Sequence, residues 1–477
     1  MSEKDLVEAW ARSGMRRREF LALLGAGAAG LLARDLFAAE AVRRRPNILV
    51  IVADDLGYAD LGCQSGKDIL TPHIDSLARN GVRFTSGYVS CPVCSPTRAG
   101  LMTGRYQERF GHEFNPGPLE PGTGVFGLPL SQITMADVLK AAGYHTGMVG
   151  KWHLGAEPVY HPMKRGFEEF FGFLGGAHSY LNARADARNP ILRGTEPVDE
   201  KEYLTDAFTR EAVAYIGRHA NEPFFLYLTY NAVHQPPDAT SKYLDRFKTI
   251  ADERRRIYAA KLSAMDDGVG AVLAKLKEAG AYQDTLLFFL SDNGGPPVNG
   301  SSNGPLRGFK ATVWEGGIRV PFLVQWPRRI KGGATYDQPV ISLDIMPTAA
   351  AVAGGKLPTD RVLDGVNLIP RMTGRRKEPP HPMLFWRFGE NRKAVRAGDW
   401  KLVQQGAPPQ LFDLSKDTGE ADDLSAREPG RAKQLGDALA AWESQLVPPL
   451  WGPAGQARAA RAGRRQGRRR RALEMGA

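Results

Sequence analysis

Short runs of consecutive apolar residues punctuate the chain, and most of them end in polar chemistry. Asn47–Ala53 is continuous, apolar and rich in β-branched residues, the pattern of a strand buried on both faces of a parallel sheet. Residues 224–230, 285–290 and 321–326 carry similar runs, and 144–149 reads as another strand. Helical periods lie between them. Thr71 and Pro72 open one, as cap and first helical residue, in which Ile74, Leu77 and Ala78 share a face. Residues 99–103 read as the opening of a second, and Thr134 caps a third that stops at Gly143. In 257–279, Tyr258, Leu262, Met265, Val269, Val272 and Leu276 alternate spacings of four and three, a core-facing stripe. Residues 343–353 form a last helix of this series, and 110–128, rich in Gly and Pro, read as loop. Strands alternating with helices predict an α/β fold, a large mostly parallel sheet sandwiched by helices, over 46–370. From about Pro370 the texture changes. Residues 395–403 and 411–414 read as short strands of a hairpin-like sheet, with a helix over 431–446 laid against it. These make a smaller C-terminal α+β subdomain, 371–450. No internal repeat is evident.

Composition changes this picture only at the ends. With 477 residues, 43% hydrophobic and 24% charged, the chain has the size and balance of an ordinary globular protein with ample core. The net charge of +11 comes almost wholly from Arg43, Arg44 and Arg45 and from eight arginines between Arg458 and Arg471. The body is therefore near neutral. Residues 453–477, an Ala/Gly/Arg low-complexity tail, are expected to be disordered and to attract polyanions. Three cysteines exclude a disulfide scaffold and leave open whether Cys63 and Cys91 pair. At the other end, Arg16, Arg17 and Arg18 precede an apolar run over 21–32, too short for a permanent span, which needs roughly 20 residues. Ala39-Glu40-Ala41 offers a small-x-small cleavage site. The Arg17-Arg18-x-Phe20-Leu21 pattern resembles a twin-arginine export signal. Residues 1–41 are thus expected to be a signal peptide read by the twin-arginine export machinery, placing a bacterial protein in the periplasm or outside the cell.

The candidate chemistry sits where the strands stop. Asp54 and Asp55 follow the first run, at the carboxyl end of a strand, where open α/β sheets place their ligands. Adjacent carboxylates repel and call for a cation, and oxygen ligands suit calcium or magnesium; the alternative is an Asp-Asp turn. Lys151 and His153, flanked by Gly150 and Gly155, end the next strand, and in extended chain they face one side. His234 follows the 224–230 strand, and Asp292, Asn293, Gly294 and Gly295 follow 285–290. Cys94-Ser95-Pro96-Thr97-Arg98 places a small nucleophile, a turn proline and a fixed cation before a helix, a setting that holds anions. Cys91 and Cys94 also form a Cys-x-x-Cys, a redox pair or half a zinc site, but there is no second pair for a four-cysteine site.

Cys94-x-Pro96-x-Arg98, followed by Leu101, Thr103, Gly104 and Arg105, resembles the sulfatase signature of the alkaline-phosphatase superfamily. Gly150-Lys151-Trp152-His153 and Gly308-Phe309-Lys310 through Trp314-Glu315-Gly316-Gly317 match further signatures in the family's order, and the likeness runs over 47–446. Most members have Ser where this chain has Thr97. The resemblance implies that a maturase converts Cys94 to formylglycine, whose hydrated aldehyde is the nucleophile. It implies one Ca²⁺, with Mg²⁺ as second choice, held by Asp54, Asp55, Asp292 and Asn293 with residue 94 beside it. It gives Arg98 the task of orienting the formylglycine, and Lys151, His153, His234 and Lys310 that of surrounding the sulfate. His234 or Lys310 would protonate the leaving alcohol, and His153 would take a proton in sulfate release. The substrate implied is a sulfated carbohydrate or an aryl sulfate. A phosphoesterase or phosphonate hydrolase on the same scaffold is the alternative, and a non-enzymatic binder of acidic polymers the remoter one. Residues 108–116 resemble a stretch of bacterial polysaccharide sulfatases, which favours carbohydrate. Arg109, His112, Glu113, His178 and Tyr180 are candidate substrate-side groups, with packing as the other reading.

Overall fold

A computed structural model describes residues 45–117, 126–184 and 186–452. The expected signal peptide and the arginine-rich tail lie outside the described residues. Ten strands form one sheet. From edge to edge they are Ala334–Tyr336, Val82–Phe84, Phe322–Gln325, Thr285–Ser291, Asn47–Ala53, Phe224–Thr229, His145–Lys151, Glu169–Phe173, Leu192–Arg193 and Glu196–Pro197. The five strands from Thr285–Ser291 to Glu169–Phe173 are mutually parallel, and Phe322–Gln325 is antiparallel to both its neighbours.

The apolar runs are continuous because both faces of the sheet are covered. Leu49, Ile51 and Ala53 point into one core, with Leu204–Arg218 and Glu253–Glu278 as its main helices. Ile48, Val50 and Val52 point into the other, under Cys94–Thr103, Met135–Ala141 and Ile345–Ala353. Period-two alternation makes each strand serve both layers. Every residue of Asn47–Ala53 is buried, and full burial stabilises a Val, Ile or Leu by roughly 1.5–3 kcal/mol each. Among the described residues no helix is long and apolar enough to cross a membrane.

Several expectations shift in detail. The helix expected from Ala99 begins at Cys94. Pro96 does not block it, because the first turn has no intrahelical N–H bond to lose. Thr71 precedes its helix with Pro72 inside it, but its hydroxyl makes no cap bond. Asp266, from the long helix, accepts from the Ile74 and His73 N–H groups instead, at 2.7 and 3.1 Å. The Leu204–Arg218 helix and the Glu169–Phe173 strand carry no expectation from sequence. Both cysteines left open, Cys63 and Cys91, are free thiols.

The C-terminal region forms a separate four-stranded antiparallel sheet, Leu384–Arg387, Arg392–Ala397, Trp400–Gln405 and Gln410–Asp413 in that order. The expected strand over 395–403 is a hairpin, turned at Gly398 (φ 57°) and Asp399. The Pro429–Glu443 helix packs on it through Leu435, Leu439 and Trp442. This core also takes in Tyr88, Tyr106, Val313 and Trp314 from the first part of the chain.

Candidate active site

Four neighbouring parallel strands release their chains at one edge. Thr285–Ser291 gives Asp292 and Asn293, Asn47–Ala53 gives Asp54 and Asp55, Phe224–Thr229 leads to His234, and His145–Lys151 ends on Lys151. The Cys94–Thr103 helix starts over this edge, with Cys94 and Arg98 one turn apart on the same side. All of these side chains except His234 are deeply buried, and Lys310, reaching Asp55 from the loop after Gly308, is partly exposed as well.

The charges interlock. Arg98 donates from Nε and Nη2 to Asp292 Oδ2, at 3.0 and 2.8 Å, and from Nη1 to the Lys151 carbonyl at 3.0 Å. Lys151 Nζ donates to Asp54 Oδ2 at 2.5 Å. Lys310 Nζ donates to Asp55 Oδ1 at 2.7 Å, and His234 Nε2 stands 3.7 Å from Asp55 Oδ2. Asn293 Nδ2 also donates to Asp55 Oδ1, at 2.7 Å, and Asn293 Oδ1 is buried without a partner. The Cys94 thiol lies 3.6 Å from Asp54 Oδ1 and donates to it. Burial would raise the Asp54 carboxyl, but Lys151, His234 and Arg98 override it and hold it below the usual carboxylate range. Burial, with Asp292 and Asp54 close by, pushes the Cys94 thiol up to about 12 against the pull of Lys151 and Lys310.

His153 is positioned by backbone rather than by strand alternation. The strand stops at Lys151, and His153 adopts a left-handed conformation (φ 58°), as does Asp55 (φ 64°). Such residues cost of order 1–3 kcal/mol and persist when their surroundings over-determine them. Here Ser95 Oγ donates to the His153 carbonyl at 2.6 Å and stands 2.6 Å from His112 Nε2. Burial, reinforced by Lys151, Arg98, His234 and Lys310, holds the His153 imidazole far below its ordinary pKa. Its buried Nδ1 has no hydrogen-bond partner.

The ten expected site residues thus converge: Asp54, Asp55, Cys94, Arg98, Lys151, His153, His234, Asp292, Asn293 and Lys310. Ligand atoms of Asp54, Asp55, Cys94 and His234 lie within 4.8 Å of one another, a cluster able to hold a metal ion. The five substrate-side candidates do not reach the cleft. Arg109 forks onto Asp364 at 2.8 Å, and Glu113 takes Arg387 at 2.8 Å. Tyr180 donates to the Asn231 and His234 carbonyls, and His178 Nδ1 pairs with the Ser179 carbonyl. His112 is fully buried, and burial lowers it to about 3, so it supports Ser95 as a neutral ring. What does line the cleft over Cys94, a space of about 600 Å³, includes Asn115, Asp186, Arg188 and Asn189. Asp186, Arg188 and Asn189 come from a loop without a motif, so nothing in the sequence marks them, whereas Asn115 belongs to the 108–116 stretch singled out by resemblance.

The sulfatase family model matches residues 46–355, and the C-terminal model of N-sulphoglucosamine sulphohydrolase matches 309–441. The chain belongs to the sulfatase family. It is a sulfuric ester hydrolase of the alkaline-phosphatase superfamily. Human arylsulfatase A is 35% identical over 476 residues, covering 87% of this chain and 90% of the relative. Mouse N-acetylgalactosamine-6-sulfatase is 36% identical over 381 residues, 75% of this chain and 71% of that one. Among solved structures, Ps i-CgsB in complex with k-i-k-neocarrahexaose aligns with a TM-score of 0.83 at 36% identity, over 87% of this chain and 96% of the other.

Proposed function

We propose that this sulfatase removes sulfate from a sulfated carbohydrate, with a formylglycine made from Cys94 and one calcium ion at the strand ends. The substrate reading rests on the cleft above Cys94. Its walls offer Asn115, Asp186 and Arg188, with Asn189 held by the Gly175 N–H and the Ala177 carbonyl, and no Phe, Tyr or Trp is among its described lining residues. An amide, a carboxylate and a guanidinium suit the hydroxyls and anionic groups of a sugar. Facing a flat apolar ring they would be desolvated without partners. The oligosaccharide named in the Ps i-CgsB complex and the sugar in the mouse relative's name support the same class.

The donor set supports the ion. Asp54 and Asp55 bring carboxylate oxygens within 4.8 Å of each other and of the Cys94 and His234 ligand atoms, buried Asp292 stands beside them with Oδ1 on the Asp55 N–H, and the Asn293 Oδ1 atom is unpartnered. Asp54, Asp55, Asp292 and Asn293 would hold the metal, and oxygen-only ligands favour calcium, then magnesium, over zinc. When bound, such an ion withdraws charge from a sulfate oxygen, and a hydrated formylglycine supplies a nucleophilic oxygen beside it. The remaining work falls to side chains already in place. Arg98, Lys151 and Lys310 set three positive charges around the sulfate, preorganised in a buried site. His153, whose ring lines the cleft, is the group we assign to take a proton in sulfate release. His234 and Lys310, on the open side, are the groups able to protonate the departing alcohol oxygen. We assign the catalytic unit to 46–370 and the C-terminal subdomain to 371–450. We assign export to residues 1–41, on the Arg17-Arg18 pattern, and attraction of polyanionic substrate to the tail after Pro453.

Purified enzyme, co-expressed with a formylglycine-generating maturase, is assayed for sulfate release from defined sulfated oligosaccharides and from 4-nitrophenyl sulfate. The expected result is a kcat/KM for at least one oligosaccharide about tenfold or more above the aryl ester, a difference of about 1.4 kcal/mol. Faster turnover of the aryl ester than of every sulfated sugar would overturn the substrate reading.

A further inference from the structure

At the pole of the sheet opposite the sulfate cleft, three ligand-type side chains meet. His145 opens the strand that ends at Lys151, so six steps of about 3.3 Å put it about 20 Å from the catalytic end. His219 caps the C-terminus of Leu204–Arg218, and Glu222 lies in the turn before Phe224–Thr229. The topology brings them together, because His145 is in register with Phe224. His145 Nε2 is 3.1 Å and His219 Nδ1 is 3.8 Å from Glu222 Oε2, and the two rings stack with centroids 4.7 Å apart. The ligand atoms all lie within 4.8 Å of one another.

We infer that His145, His219 and Glu222 form a second metal site, for a divalent transition ion of the zinc type. Two features go beyond mere proximity. First, the far nitrogen of each ring faces its own carboxylate. His219 Nε2 is 2.8 Å from Glu169 Oε1, and His145 Nδ1 is 3.5 Å from Glu168 Oε2. Outer carboxylates of this kind fix ring orientation and raise ligand basicity in metal sites. They are themselves held: Arg218 pairs with Glu169, while the Thr146 N–H, at 3.2 Å, and Lys140 Nζ, at 3.5 Å, approach Glu168. Second, His219 Nδ1 is buried and has no hydrogen-bond partner. With Nε2–H donated to Glu169, the Nδ1 lone pair points at the Glu222 carboxylate, an arrangement that a cation between them relieves. Two imidazoles and one carboxylate, with a fourth position open to water, match zinc; cobalt, nickel and copper share the preference, and calcium does not. The ion would tie a strand start, a helix end and the turn that leads from that helix into the next strand, so its effect is on stability and not on the distant chemistry.

The test uses the whole enzyme, stripped with chelator, reloaded with calcium, and titrated with Zn²⁺ by calorimetry and with Co²⁺ by visible absorption. Wild type is expected to bind one Zn²⁺ and to develop the ligand-field bands of low-coordinate cobalt, with a raised Tm. His219→Ala should weaken Zn²⁺ by about 100-fold or more and abolish the Tm response, and Glu169→Gln should weaken it by about tenfold. His145→Asn, at a half-exposed position, gives the same answer if His219→Ala folds poorly. Absence of stoichiometric Zn²⁺ from wild type, or equal binding by His145→Asn, would overturn the assignment and leave a His–Glu ion-pair cluster.

Discussion

Lys401 joins the C-terminal sheet to the signature segment that carries Lys310. Its ammonium is fully buried and donates to Glu315 Oε1 at 2.8 Å and Glu420 Oε1 at 2.9 Å, both carboxylates also fully buried. Glu315 further takes the Tyr88 hydroxyl at 2.6 Å and Arg319 at 3.3 Å, and its own N–H donates to Glu420 Oε2 at 2.7 Å. Lys401→Met keeps the stem volume and removes the charge. Stranding a buried partner costs about 3–5 kcal/mol. A folded body of roughly 400 residues unfolds with about 0.8 kcal/mol/K of entropy, so the loss lowers Tm by about 4–6 °C. The pH dependence has a definite sign. Burial raises both carboxyls. In wild type Lys401, Arg319 and Arg396 bring Glu315 below its ordinary value, while Glu420 stays raised because Lys401 only partly offsets burial and Glu315 adds repulsion. Without Lys401 both shift upward. A carboxyl raised in the folded state contributes its stability below the unfolded pKa and loses it as pH rises through the folded one. The Tm deficit of Lys401→Met should therefore grow from pH 5 to pH 8 in scanning calorimetry at one scan rate. A deficit under about 1 °C at pH 8, or one larger at pH 5 than at pH 8, would refute this reasoning.

Two further outcomes concern the site itself. A Cβ on Gly176 would stand 2.8 Å from His153 Nε2 and 2.9 Å from Cε1. Gly176→Ala should thus lower kcat by about ten- to a hundredfold with metal content unchanged, by kinetics and elemental analysis; unaltered kcat would show that His153 need not hold its place. Asp292→Asn keeps shape while removing a carboxylate from the proposed ligand set and from Arg98. It should lose the ion and turnover together, and retention of stoichiometric calcium would remove Asp292 from the ligands.

The strand-end chemistry was legible because both physical signals are local. A fully covered parallel strand reads as an unbroken apolar run, and its carboxyl end is where loops can carry polar chemistry, as Asp54, Asp55 and Asp292 stand there. What escaped depends on contacts remote in sequence. Glu315 sits in a recognisable motif, but its partner Lys401 is on another sheet, so no spacing relates them. Ser95 reads as part of the nucleophile loop, yet its hydroxyl holds the His153 carbonyl. His112 looks like a surface ligand by residue type and is instead a buried prop for Ser95. The Leu204–Arg218 helix went unread because polar Thr205 and Glu211 share its buried side with Leu204, Phe208 and Tyr215, blurring the apolar period.

The central claim is that residue 94 does its chemistry as formylglycine. Peptide mass spectrometry of the fully active, maturase-co-expressed enzyme after thiol alkylation tests it most directly. The account predicts that the peptide spanning Cys94 escapes alkylation, carries an aldehyde oxygen in place of the thiol and reacts with a hydrazide, while the other two cysteines are alkylated on unfolding. An alkylated, unconverted Cys94 throughout an enzyme with full sulfatase turnover would contradict it.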